Sequence, residues 1–274
     1  MKLSFLGAGN LPDTIINALV KKLNFKSEDI AIYDKNKEQY GRYNNINIFK
    51  ADTLKEAVIH GKFIFLAVKP QNFPELLSWI KELEMDLTDK VFVSVAAAIP
   101  IDYIQGQLSQ NVAIIRTMPN TPIMIGEGMT AVCKNEYVTE EDFKEVCNIF
   151  ESLGKTLILG EEKMNKIISV NGSSPAYVYL FAEAMLEGAV AQGFDREEVY
   201  EAVMQSLYGS IMMLKDSGKQ PQELIKAVAS PGGTTERALN SFNDDKFIDI
   251  IKKAMSECTV RADELARIYG ERES

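Results

Sequence analysis

The sequence predicts an α/β fold: an N-terminal doubly wound sheet over residues 1–160, then an all-helical domain over 161–274. Three observations carry that prediction. Short apolar runs alternate with helix-period stretches as far as Leu159, the pattern of βαβ units. The first run meets two glycines, Gly7 and Gly9, at the mouth of a helical stretch. From Glu161 onward the strand patterns stop, and helical periodicity runs almost to the end.

The first strand is Leu3-Ser4-Phe5-Leu6. Ile15, Ile16, Ala18, Leu19 and Leu23 then recur at helix-face spacing. Between them lies Gly7-Ala8-Gly9-Asn10-Leu11, the opening of a Rossmann-type unit. There the backbone approaches a pyrophosphate, and the helix N-terminus offers free N–H groups and a positive dipole end. A third fingerprint glycine is missing; Pro12 takes its place, and proline fits a first helical turn. Taken alone, the stretch reads equally well as an ordinary glycine turn.

Ile30-Ala31-Ile32-Tyr33 is the second strand and runs into Asp34. An acidic residue at this place would hold the adenosine ribose hydroxyls. Lys35, Asn36 and Lys37 follow and could instead receive a 2′-phosphate, so NAD and NADP both stay open. A short strand is expected at Ile46-Asn47-Ile48, and a helix from Thr53 to His60 capped by Asp52 or Thr53. Phe63 to Val68 is a continuous apolar run, as in a strand buried on both faces, and ends in Lys69-Pro70. A helix follows over Phe73 to Leu83, then a strand over Val91 to Val95 running into Ala96-Ala97-Ala98. A short helix after Pro100 leads to the strand Val112 to Arg116 and the loop Thr117-Met118-Pro119-Asn120-Thr121-Pro122. Glu140 to Leu153 reads as a helix and Thr156 to Leu159 as the last strand.

Four strands thus end in small or backbone-rigid sequences: Gly7-Ala8-Gly9, Ala67-Val68-Lys69-Pro70, Ala96-Ala97-Ala98 and Met118-Pro119-Asn120. Ligands of doubly wound sheets bind outside the carboxyl ends of the strands. Small side chains there let a flat cofactor lie against backbone, so these loops are the candidate cofactor site.

Composition narrows the chemistry. With 46% hydrophobic and 25% charged residues the chain is ordinary for a globular protein. A net charge of −9 opposes nucleic-acid binding and gives no reason to expect a membrane surface as partner. No apolar run approaches a membrane span, and the start lacks a secretory pattern. Cys133, Cys147 and Cys258 are scattered, which points to a reduced, cytoplasmic protein. The single histidine, His60, rules out multi-histidine metal sites and reads as a solvated helix end; no metal is expected. A nicotinamide cofactor suits this shortage of catalytic side chains.

In the second domain, helical segments near 164–171, 175–192, 195–215, 221–228 and 246–268 are separated by breaks. Met204, Leu207, Ile211, Met212 and Leu214 form a core stripe or a subunit interface, core being the default. Two stretches interrupt the texture: Asn171 to Tyr177, and Ser230-Pro231-Gly232-Gly233-Thr234-Thr235 ahead of a helical run. Exposed N–H groups at the latter would suit a substrate carboxylate, and a threonine hydroxyl could bond a substrate nitrogen or oxygen. An N-capped helix after a turn explains the same residues.

These stretches together resemble the pyrroline-5-carboxylate reductase family. The resemblance runs from about Leu3 to Leu265 and rests on Gly7-Ala8-Gly9-Asn10, Ala67-Val68-Lys69-Pro70, Met118 to Pro122, Ser173-x-Pro175-Ala176-Tyr177 and Ser230 to Thr235. It implies a helical domain that intertwines with a second subunit, giving homodimers and a ring of dimers as the larger assembly. It implies hydride transfer from NADPH, or NADH, to the C=N carbon of 1-pyrroline-5-carboxylate, giving L-proline. By that analogy Ser230, Gly232, Gly233, Thr234 and Thr235 bind the small-molecule substrate, and Thr235 is the catalytic donor to the ring nitrogen. Met118, Pro119 and Asn120 would pack around the nicotinamide, and Ala67 to Pro70 around the bound cofactor. Pro12, Ala98 and Ser174 depart from the pattern, the last two standing where glycine is common. A reductase of another cyclic imine or small carbonyl acid, and a non-catalytic cofactor-binding paralogue, are the competing readings.

Overall fold

The computed structural model describes residues 1–270. Its sheet has strands β1 (Leu3–Leu6), β2 (Ile30–Tyr33), β3 (Phe49–Lys50), β4 (Phe63–Leu66), β5 (Val91–Ser94), β6 (Ala113–Met118), β7 (Gly128–Lys134) and β8 (Gly154–Ile158). They lie in the order β3-β2-β1-β4-β5-β6-β7-β8. All neighbours are parallel except β6 and β7.

Side chains along a strand alternate between faces, and both faces are apolar here. Phe5, Phe63, Phe65 and Val93 belong to one core, where α1 (Asn10–Lys22) and α5 (Glu140–Glu151) add Ile15, Ile16, Leu19 and Phe150. Leu6, Ile64, Leu66 and Phe92 belong to the other. There α2 (Leu54–His60), α3 (Phe73–Lys81) and α4 (Ile101–Leu108) supply Val58, Leu76, Leu77, Ile80 and Ile104. The doubly wound architecture follows from these two buried faces. Thr53 caps α2 in a full capping box with Glu56.

The structure departs from the sequence reading in three places. The strand expected at Ile46–Ile48 forms at Phe49–Lys50, because Ile48 turns into the core beside β2. The antiparallel strand β7 has no counterpart in the sequence reading; it returns from a 3-10 turn over Thr121–Ile125, and its small residues lack a strong strand signal. The helix expected near 164–171 is a 3-10 turn at Glu161–Lys163 followed by a π-helical turn at Ile168–Gly172.

The chain forms two compact units. Unit 1 holds the sheet through Ser173 and the chain from Cys258; unit 2 is Ser174–Glu257. The end of the strand pattern near Gly160 therefore precedes the division into units, and residues 271–274 of the expected helical stretch lie outside the described residues. Unit 2 contains α6 (Ser174–Ala191), α7 (Arg196–Asp216), α8 (Pro221–Val228) and α9 (Thr234–Asp244). The last helix, α10 (Phe247–Gly270), begins in unit 2, and its residues from Cys258 belong to unit 1. There Ala262 is buried with Ala98 and Ile168.

Candidate active site

The glycine turn has a physical requirement for glycine at Gly7. Its φ is 110°, and a Cβ there would lie 2.6 Å from the Ala67 carbonyl oxygen. Without a side chain, the end of β1 closes against the end of β4. Gly9 caps α1, and a Cβ on it would meet nothing within 4 Å. The N-terminus of α1 therefore opens into free space.

That space is a cleft of about 670 Å³. Of the residues expected at a cofactor, Gly7, Ala8, Gly9, Asn10, Asp34, Lys35, Ala67, Val68 and Lys69 line it. Leu11, Pro70, Ala96, Met118, Pro119 and Asn120 do not. Leu11 packs on the first core and Ala96 is buried in the second. Pro70 opens a 3-10 turn, and Met118 closes β6 with Pro119 and Asn120 just after it. Asn36, which the sequence reading offered to a 2′-phosphate, lines it too, and the cleft also has walls that the sequence reading did not assign: Gln39, Gln71, Asn72, Glu75 and Trp79. Glu75 and Trp79 are four apart on α3, beside the core positions Leu76 and Ile80. A lone tryptophan flanking an otherwise regular apolar stripe is the signal that points to them.

Asp34 is half-buried and fixed by backbone. Its carboxylate accepts from the Ala8 N–H at 2.8 Å and the Asn36 N–H at 2.8 Å. Lys35 Nζ pairs with Glu75 at 2.9 Å and stands over the Trp79 ring. Arg42 donates to Asn10 Oδ1 at 2.8 Å, beside the start of α1. An open helix N-terminus and a fixed acid at the end of β2 are the two halves of a dinucleotide cradle, and the residues present fit such a cofactor.

Beyond β6, Asn171 holds the Met118–Asn120 loop. Its Nδ2 donates to the Met118 carbonyl at 2.8 Å and the Met129 carbonyl at 3.2 Å. Asn120 Oδ1 in turn accepts from the Met129 N–H at 2.9 Å. Gly172 lets Met118 approach, since a Cβ there would lie 2.5 Å from Met118 Cε. Asn171 belongs to one of the two stretches that broke the helical texture, which is how the sequence signals it.

Deeper in unit 1, Arg116 is buried and bonds Glu161 and Asn165, each at 2.7 Å. Asn165 continues to Asp263 at 3.0 Å, which ties α10 to β6. Cys133 Sγ lies 2.8 Å from Glu161; burial first, then Glu161, push its thiol far above the ordinary range. It is a packing residue, not a nucleophile. His60 is not the solvated helix end expected: it is half-buried and stacked on Phe49.

In unit 2, the loop Ser230–Gly233 leads into α9. Gly232 has φ 72°, and its N–H donates to Glu236 Oε2 at 2.8 Å. Gly233 is the cap of α9 and has no side chain to give to the first turn. The N-terminus of α9 at Thr234 and Thr235 is thus uncapped by its own sequence. Ser230 and Thr234 are exposed and Thr235 is half-buried.

Comparison with known proteins joins the two stretches. A family model described as pyrroline-5-carboxylate reductase dimerisation matches residues 161–265. One described as NADP oxidoreductase, coenzyme F420-dependent, matches residues 2–98. The pyrroline-5-carboxylate reductase of Escherichia coli K12 is 33% identical over 97% of this chain and 98% of its own length. The chain belongs to the pyrroline-5-carboxylate reductase family. A second relative, pyrroline-5-carboxylate reductase 2 of Bacillus subtilis, is 30% identical over 98% of this chain and 96% of its own. The Plasmodium falciparum pyrroline carboxylate reductase, solved with NADP bound, matches with a TM-score of 0.87 at 28% identity, over 97% of this chain and 98% of that one. Within this family's pattern, Ala98 has a structural meaning. Its φ of 60° is left-handed, so a glycine there would be unstrained, and the methyl instead packs beside Ile168 and Ala262.

Proposed function

We propose that this chain is a pyrroline-5-carboxylate reductase, reducing the C=N bond of 1-pyrroline-5-carboxylate to give L-proline. The observation that carries the reading is 33% identity to the E. coli relative over 97% of this chain and 98% of that one. The bound cofactor supplies a hydride; NADPH is the reductant, with NADH the second candidate. Gly7, Ala8, Gly9, Asn10 and Asp34 hold its adenosine and pyrophosphate. Residues 161–274 are the substrate and dimerisation part of the chain.

The residues then have modest tasks. A protonated imine is already electrophilic, so the protein must mainly place its carbon at hydride distance. The uncapped N-terminus of α9, with Ser230 and the glycine backbone, binds the substrate carboxylate. Thr235 donates to the ring nitrogen as its charge changes. Asn171 holds the Met118–Asn120 stretch in place, and that stretch would face the nicotinamide of a bound cofactor. No base and no metal is needed.

Unit 2 exposes Tyr179, Leu180, Phe181, Tyr208 and Ile248. That apolar surface supports association with a second copy, and a ring of dimers is the assembly we propose. None of the described helices is long and apolar enough to cross a membrane. Free thiols at Cys133, Cys147 and Cys258 support a reducing, cytoplasmic location.

The test is loss of NADPH and NADH absorbance with pyrroline-5-carboxylate, against cofactor alone. Substrate-dependent oxidation with proline as product is the expected result. Cofactor binding without oxidation would favour a non-catalytic paralogue, and oxidation only with other imines would move the substrate.

A further inference from the structure

We propose that Asp263, on the last helix, is a positioning residue of the reduction: through Asn165 and the turn that carries Asn171 it fixes the Met118–Asn120 stretch against which a nicotinamide would lie. The inference rests on the reductase reading above.

The chain leaves unit 1 at Ser173 and re-enters it at Cys258. Within that unit, the segment from Asn165 to Ser173 is fastened to α10 in antiparallel order. Ser173 Oγ lies 3.3 Å from Cys258 Sγ, and Thr259 Oγ1 donates to Ser169 Oγ at 3.3 Å. Ile168 and Ala262 are buried in one small core, and Asn165 Nδ2 donates to Asp263 Oδ1 at 3.0 Å. Inside the segment, Ile168–Gly172 is a π-helical turn, closed by the Ser173 N–H on the Ile168 carbonyl at 2.8 Å. Such turns are rare and recur at functional sites. Residues two apart on a helical turn do not share a face. Ser169 and Ser173 therefore meet α10, while Asn171 faces the sheet. Asn171 is buried and donates to the Met118 carbonyl at the end of β6 and the Met129 carbonyl at the start of β7. One amide thereby pins the base of the loop that carries Pro119 and Asn120.

A second route reaches the same stretch. Arg116 stands two residues before Met118 on β6, so the two share a face of the strand. Arg116 is 3% exposed, and its guanidinium must be satisfied by bonds from inside the protein. Glu161 supplies the opposite charge, and Asn165 Oδ1 accepts from Arg116 Nη2 at 2.7 Å. A side-chain amide bonded at one end only is free to turn over. Asp263 takes the Nδ2 end of Asn165 and so keeps Oδ1 on Arg116. Met118 also packs against the small core of Ala98, Ile168 and Ala262. Asp263 touches no reacting atom. It acts by holding Asn165, and with it both Arg116 and the turn that carries Asn171. A displacement of about 1 Å, caused far from the chemistry, can slow such a reaction by about 100-fold.

The test reverses one hydrogen bond. Asn165→Asp keeps an acceptor for Arg116 and sets a carboxylate against Asp263. Asp263→Asn alone keeps its acceptor, and the two changes together restore the pair with donor and acceptor exchanged. Hydrogen exchange in the cofactor-free protein follows the amides of residues 117–130, and steady-state kinetics with NADPH and pyrroline-5-carboxylate separate kcat from KM. In Asn165→Asp those amides should exchange about tenfold faster. Its kcat should fall about tenfold, with KM for both substrates held within about twofold. The double variant should return to within about threefold of the unaltered chain in both readouts, and Asp263→Asn should stay in that range. Thr53→Ala, destabilised in α2 and remote from the stretch, should keep its turnover. If Asn165→Asp does not fold, Asp263→Ala carries the test, since it removes the acceptor without adding charge; kcat should then fall about threefold or more. Unchanged exchange or unchanged kcat overturns the inference. So does a double variant that fails to recover, or a Thr53→Ala that loses as much turnover. A chain that does not oxidise NADPH with pyrroline-5-carboxylate overturns the reductase reading instead, and the exchange result still decides whether Asp263 fixes the stretch.

Discussion

The sheet unit and the helical unit put their apolar residues in different places. Phe5, Phe65, Phe92 and Phe150 are fully buried in unit 1. In unit 2, Tyr179 is 62% exposed, Leu180 70% and Ile248 63%, and α6, an apolar helix, buries only Leu186. The first unit closes its core on its own chain. The second carries a face that water disfavours, which is how a surface that meets a second subunit is built. The contrast predicts that stability in unit 1 is local and that stability in unit 2 rises with protein concentration.

The largest test of that contrast is Leu180→Asp. If Leu180 is buried between two copies, its loss removes about 1.5–3 kcal/mol per subunit of apolar burial and adds a charge to the interface. Light scattering should show a smaller species than the unaltered chain forms, and the unfolding midpoint should stop rising with concentration. An unchanged dimer would place the interface elsewhere. Phe65→Ala is the matched change in unit 1. Phe65 stacks on Phe5 with ring centroids 4.5 Å apart, so the cavity should cost about 3–5 kcal/mol at every protein concentration, read by denaturant unfolding. Thr235→Ala asks about function alone: turnover should fall about 10²-fold, with cofactor affinity unchanged in a fluorescence titration. An unchanged rate would remove Thr235 from the reaction.

The contrast also explains what the sequence could and could not reveal. Phe63 to Leu66 and Val91 to Ser94 announce buried strands because each run is apolar on both faces. The glycine turn is legible because Gly7 must admit the Ala67 carbonyl. The stripe Met204, Leu207, Ile211, Met212 and Leu214 is not legible in the same way. Periodicity marks an apolar face and says nothing of what covers it. The default reading as core does not hold, since Ile211 and Leu214 are exposed and the other three half-buried. β7 is hidden because Gly128, Met129 and Ala131 dilute its few strand formers, and pairing with β6 overrides that weak preference. Asn171 and Glu75 act through contacts with residues 53 and 40 positions away, and no local pattern encodes such partners.

A smaller test concerns thiols. Burial pushes Cys133 and, less markedly, Cys147 above the ordinary thiol value of 9.0. The folded chain therefore holds these protons more tightly than the unfolded one. Their contribution to stability is whole below pH 9 and is lost as the pH rises further. Iodoacetamide at pH 8 should modify Cys258, half-buried, before either of them, as peptide mass mapping would show. Early labelling of Cys133 would contradict its place in the Arg116–Glu161 network.

The smallest effect compares two helix starts. Thr53 accepts from the Glu56 N–H while Glu56 reaches back to the Thr53 N–H, so α2 satisfies its first turn within its own chain. α9 has Gly233 in the same place, and Glu236 bonds Gly232 instead of the cap. Thr53→Ala should lower unfolding stability by about 1 kcal/mol and leave turnover untouched. Gly233→Ser should do the opposite. A serine cap would hardly change stability, because glycine is only a few tenths of a kcal/mol worse there. Its Cβ, however, would lie 2.6 Å from Ser230 Oγ and displace that side chain. Its hydroxyl would also compete for the N–H groups proposed to bind the substrate carboxylate. The expected outcome is a raised KM for pyrroline-5-carboxylate at an unchanged melting temperature. An unchanged KM would mean that the open start of α9 is only a turn.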